Sequence, residues 1–197
     1  KRHDLQGPID DAFMDSFVCV RGTGTPWSKN QHAWSEFVLA RFEREFDKWL
    51  RGKIRIVDDK DVTQEMIDKS HLILFGDPGS NSVIAQVLEE LPVSWTKTEI
   101  IANGQTHDVN TRGLAMIYPN PLNRRRYVVI NSGHTFHEEQ FKASNAQLYP
   151  RLGDFSILDI QSDGEGNFPE TIIDSAIFDH SWKVPKPATT VGIGKLE

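Results

Sequence analysis

Apolar residues along this chain fall into short saturated runs separated by longer stretches of helical periodicity. "SFVCVRG", residues 16 to 22, is an apolar, β-branched run that stops at glycine and predicts a strand. Trp34, Phe37, Val38, Phe42, Phe46, Trp49 and Leu50 then recur at spacings of three and four until Gly52, which predicts a long amphipathic helix. Thr25 is placed to cap that helix, with Pro26 at its first position. "KIRIVDD" and "HLILFG" are the next strands, and the second is apolar throughout, as in a sheet covered on both faces. Between them Thr63 opens a short helix, with Val62 and Ile67 spaced as a hydrophobic staple.

Beyond "GDPGSN", Val83, Ile84, Val87, Leu88 and Leu91 form one stripe of a helix that Pro92 ends. Residues 93 to 118 break the rhythm. An Asn-Gly turn signal and the proline-ended "GLAMIYPNPL" predict a hairpin excursion there. "RYVVINSG" returns to a buried strand, Thr135 and Glu138 have capping-box spacing for a helix over 136 to 148, and "DFSILDI" and "TIIDSAIFDHSW" supply the last strands. Strands alternating with helices imply a mostly parallel sheet between two helical layers. The expectation is a three-layer α/β/α domain with a flavodoxin-like or Rossmann-like sheet, an antiparallel hairpin excursion and an edge strand. In it the second strand lies outside the first and the third inside it, followed by "YVVIN" and "FSILDI". One domain over 1 to 184 and a loose tail over 185 to 197 complete the scheme.

Composition narrows the partners. The chain has 197 residues, 38% of them hydrophobic, enough for one sizeable core. Twenty-two basic against 28 acidic residues give a net charge of −6, which disfavours nucleic acid. No apolar run approaches the roughly 20 residues of a membrane span. Cys19 is the single cysteine, so neither an internal disulfide nor a thiolate metal cluster can form. The chain starts without methionine and ends in "GKLE", which reads as an excised piece of something longer.

Ligands of open parallel sheets bind beyond the carboxyl ends of the strands, where the winding reverses. That rule selects three loops and the candidate ligand-binding residues Arg21, Thr23, Thr25, Asp77, Ser80, Asn81, Ser132 and His134. Helix N-termini there offer free N–H groups to an anion or small molecule. A hydrolase relay of Ser80, His134 and Asp77 is the catalytic alternative, although no G-x-S-x-G elbow occurs. "HTFHEE" offers His134, His137 and Glu138 but matches no zinc-peptidase spacing, so no metal or cofactor is assigned. "GTGTPW" puts Trp27 where a dinucleotide loop needs its third glycine. "RFEREFDKW" reads as the solvated edge of the long helix, and "NRRRY" as a loop whose arginines could dock onto an acidic neighbour.

"KRHDLQGPIDDAFMDSFVCVRGTGTPW", "HLILFGDPGSNSVIAQVLEELP", "RYVVINSGHTFHEEQF" and "NAQLYPRLGDFSILDI" resemble the C-terminal region of large, planctomycete-type prolyl-oligopeptidase-like serine hydrolases, from about Lys1 to Ile160. In that family an α/β-hydrolase domain carrying the nucleophile precedes this region. The resemblance implies a non-catalytic accessory domain of an exported serine peptidase or esterase, periplasmic or extracellular, whose partner is the hydrolase domain of the same parent chain. It implies no catalytic residue here.

Overall fold

The computed structural model describes residues 1–185, so the tail expected over 185 to 197 lies almost wholly outside the described residues. A 3₁₀ turn at Ile9–Phe13 leads into β1 (Phe17–Arg21), and α1 (Lys29–Leu50) follows. The chain continues through β2 (Ile56–Asp58), α2 (Gln64–Lys69), β3 (His71–Phe75) and α3 (Ser82–Val87). Next come β4 (Ser94–Trp95), β5 (Glu99–Ala102), β6 (Gln105–Asp108), β7 (Arg112–Pro119) and β8 (Tyr127–Ile130). After α4 (Glu138–Lys142) the last strands are β9 (Phe155–Asp159) and β10 (Ile172–Ala176).

This is a mixed α/β fold on a seven-stranded sheet of order β10-β9-β7-β8-β3-β1-β2. β2, β1, β3 and β8 are mutually parallel, while β7 runs antiparallel to both β8 and β9. β10 pairs antiparallel with β9 at the edge. Every residue of β3 and β8 is buried, as their saturated runs require.

The expected hairpin excursion is only half right. β4, β5 and β6 do form a separate three-stranded sheet, closed by Asn103 and Gly104 with φ of 50° and 72°. "RGLAMIYP", however, is β7, a central strand of the main sheet between β8 and β9. Pro119 sits at its last position, where a missing N–H removes no interior ladder bond, so the proline ends the strand without excluding it.

Local capping also departs from expectation. Ser28, not Thr25, caps α1, its side chain accepting from the Gln31 N–H. Asp77 accepts the Trp27 and Ser28 N–H groups, and Ser28 is extended (φ −125°, ψ 126°), so the helix begins only at Lys29. Thr63 caps α2 and Asn81 caps α3 as their positions require. The helix expected over 136 to 148 is confined to Glu138–Lys142, with a 3₁₀ turn at Asn145–Gln147. Residues 143 to 147 are all exposed, so no burial offsets the entropy of ordering them as a helix.

α1 lays Trp34, Val38, Leu39 and Phe42 into the core. Gly113 of β7 admits the Trp34 ring, since a Cβ there would stand 2.5 Å from its Cζ3. Gly133 does the same for Phe42. Trp34 in turn donates its indole N–H to Glu170 at 2.7 Å, and Arg41 forks onto the same carboxylate.

Candidate functional site

The three strand-end loops chosen from sequence do converge, but they satisfy one another. Asp77 is fully buried and accepts four backbone N–H groups, from Trp27 at 2.7 Å, Ser28 at 3.1 Å, Gly79 at 2.9 Å and Ser80 at 2.8 Å. Asp59 accepts from the Thr23 N–H and hydroxyl and from the Ser82 N–H. Burial works to raise its carboxyl, yet the Ser82 and Thr23 hydrogen bonds hold it down at about 2. Asn81 takes the Val83 and Ile84 N–H groups and donates to the Val20 and Phe75 carbonyls, so its amide is saturated.

Arg21 is turned outward onto Asp58, through Nε at 3.1 Å and Nη2 at 2.6 Å. A Cβ at Gly22 would stand 2.6 Å from the Ser80 carbonyl oxygen, and one at Gly79 would stand 2.6 Å from that of Thr25, so these loops lie directly on each other. The helix N-termini that could have received an anion are filled by the chain's own Asp59, Asp77 and Asn81. Arg124 and Arg126 of the "NRRRY" loop are likewise engaged within the chain, by Glu90 and Asp15.

Ser80 and His134 do not meet. The Ser80 hydroxyl accepts from the Asp77 N–H at 2.9 Å and donates to the Asp77 carbonyl at 3.2 Å. The His134 Nδ1 bonds the Phe136 carbonyl at 2.7 Å, and among the described residues no serine hydroxyl reaches its ring. The relay geometry is therefore not formed. Nor does His134 tie the strand ends together. Asn131 does that, accepting from the Gly76 N–H at 2.8 Å and donating to the Gly76 carbonyl at 2.9 Å.

From Ser132 onward the chain turns under α1. Thr135 does not cap a helix; its N–H and hydroxyl bond Asp10 at 2.7 and 2.5 Å, and its hydroxyl accepts from the Arg151 N–H. This anchor carries His134 into a nest of Phe42, Phe136 and Phe141. Only 4% of His134 remains exposed, and burial pushes its pKa down to about 4. His137 caps α4, and its Nδ1 lies 3.1 Å from Oε2 of Glu45 on α1. The other oxygen of Glu45 accepts from the Glu138 N–H. Burial, the largest single influence, would raise the Glu45 carboxyl, but the His137 hydrogen bond and the neighbouring positive groups, Arg41 among them, together outweigh it and hold the group below its ordinary value.

Glu45, Thr135 and His137 face a cleft of about 410 Å³, whose walls include Ser132, Arg41, Arg151 and Glu170. Ser132 is buried there, its hydroxyl donating to the Gly133 carbonyl. Of the strand-end ligand-binding candidates only Ser132 lines this cleft, together with His137 and Glu138 of the "HTFHEE" stretch, and a ligating atom of His134 lies within 4.8 Å of one from His137. Glu45 was missed because its segment reads as a solvated edge. The signal was present, since 38, 42, 45 and 49 are spaced by four, three and four and place a charge on the apolar stripe. A glutamate on a core stripe needs a partner.

Comparison with family models, curated proteins and solved structures finds no match to this chain.

Proposed function

We propose that this chain is a non-catalytic accessory domain of a larger prolyl-oligopeptidase-like serine hydrolase, packing on the hydrolase domain or helping to position its substrate. The observation that carries the reading is the self-satisfied strand-end rim. Where a doubly wound sheet would hold substrate and catalytic groups, Asp59, Asp77 and Asn81 spend their acceptors on the chain's own backbone. The parallel order β2-β1-β3-β8 supports a flavodoxin-like, three-layer core in which β7 is an antiparallel insertion. Exposed Ile172 and Ile173 on the edge strand β10, with Ile177 just beyond it, supply apolar surface suited to a neighbouring domain. No helix of the described residues is long and apolar enough to cross a membrane.

Activated esters and peptide anilides test the reading on the chain as given. It predicts no turnover above the uncatalysed rate. Turnover that Ser80→Ala abolishes would overturn it.

A further inference from the structure

We infer that Glu45, His134 and His137 form a binding site for one divalent transition-metal ion of the zinc type. This goes beyond the accessory-domain reading and stands without it.

The first observation is the state of His134. A carbonyl oxygen can only accept, so the 2.7 Å contact with Phe136 puts the ring proton on Nδ1. Nε2 is then a bare lone pair. It is buried and has no hydrogen-bond partner among the described residues, in a residue that is 4% exposed. Fixing Nδ1–H on a backbone carbonyl and leaving Nε2 free is the arrangement that orients a metal-ligating histidine.

The second observation is geometric. One ligating atom from each of Glu45, His134 and His137 lies within 4.8 Å of the other two. The Glu45 Oε2 to His137 Nδ1 distance is 3.1 Å, close to the roughly 3.3 Å edge of a tetrahedron with metal–ligand bonds of about 2.0–2.1 Å. Binding then requires the remaining separations to close by at most about 1.5 Å.

The third is charge. Glu45 is buried on α1, and the nearby Arg41 guanidinium is committed to Glu170. A cation between Glu45 and the two imidazoles would balance that carboxylate and supply the partner that Nε2 lacks. Glu138, which the sequence places beside His137, is held by Lys48 and Lys142 and is not one of the ligands.

Two imidazoles and one carboxylate suit zinc, cobalt or nickel better than magnesium or calcium. Three protein ligands leave a coordination position open. Glu45 and His137 both line the cleft, whose walls also include Ser132, Thr135 and Arg151, so that position can take water or a small anion from it.

The test uses the full chain without a histidine tag, stripped by chelator and titrated with zinc chloride in a calorimeter and with cobalt(II) in a visible spectrometer. We expect one equivalent of zinc with a dissociation constant of about 1 µM or tighter, and cobalt d–d bands of low-coordinate intensity. Glu45→Gln and His134→Ala should each weaken binding at least about tenfold, and Glu138→Gln should leave it unchanged. Glu45→Gln is nearly isosteric and carries the test if His134→Ala fails to fold by circular dichroism. The inference is overturned if the chain takes up no stoichiometric zinc, or if Glu45→Gln binds it as the parent chain does. In that outcome Glu45 and His137 are simply a hydrogen-bonded pair.

Discussion

Asp77 Oδ2 accepts a hydrogen bond from the backbone N–H of Ser28 at 3.1 Å, joining the loop after β3 to the cap of α1 across 49 residues of sequence. The same carboxylate takes three further N–H groups and is fully buried. Removing it strands several donors at once, and each buried orphan costs roughly 1–3 kcal/mol. Asp77→Ala should therefore destabilise the fold by about 3 kcal/mol or more, and Asp77→Asn by less, since the amide keeps one acceptor oxygen. Urea unfolding of the two variants against the parent checks the order.

Gly133 touches Phe42 so closely that a Cβ has nowhere to go. Gly133→Ala should cost about 1–3 kcal/mol, the usual penalty of overpacking a well-filled core. A thermal melt should show a drop of roughly 2–4 °C per kcal/mol for a chain of this size. An unchanged melting temperature would mean that the segment after β8 is not pressed against α1.

His71 makes stability depend on pH. Its Nδ1 accepts the Tyr127 backbone N–H at 2.8 Å, so the ring must be neutral in the folded state. Burial, helped by the Arg126 charge, pushes its pKa down to about 4. Between about pH 6.5 and 4 the unfolded chain binds a proton that the folded chain refuses, so stability falls as pH falls through that window and levels off below it. The full difference is of order 3 kcal/mol. His71→Asn retains an acceptor without titrating, and its stability measured from pH 7 to pH 4 should fall less steeply than the parent's.

Much of the fold was legible because saturated runs and three-four spacing are local signals. β1, β3, β8, β9 and α1 all follow from them. β7 was not, because its prolines read as a hairpin boundary when they stand at a strand end. Nor was the role of Thr135, whose partner Asp10 is 125 residues away. A hydroxyl placed to cap a helix and one placed to receive a distant carboxylate look alike in sequence. Topology places the loops after β1 and β3 side by side, but whether their side chains face a ligand or each other depends on contacts such as Asp59 with Thr23, 36 residues apart. Glu45 shows the opposite case, in which a charge on an apolar stripe was visible and its partners were not.

Anions should not bind at the strand ends. Arg21 is already forked on Asp58, and the helix starts are capped by side chains. A thermal-shift series with phosphate, carboxylates and sugars should stay flat, whereas a ligand at 100 times its dissociation constant would add about 2.7 kcal/mol. A saturable shift lost in Arg21→Ala would reopen that crevice as a binding site.

The most direct measurement is labelling of the folded chain with a fluorophosphonate, which reports an activated serine without any assumption about substrate. Because the Ser80 hydroxyl is bonded to the backbone of Asp77 and His134 to that of Phe136, the account predicts no covalent adduct by mass spectrometry. A stoichiometric adduct on Ser80 that disappears in His134→Ala would contradict it and make this chain the catalyst.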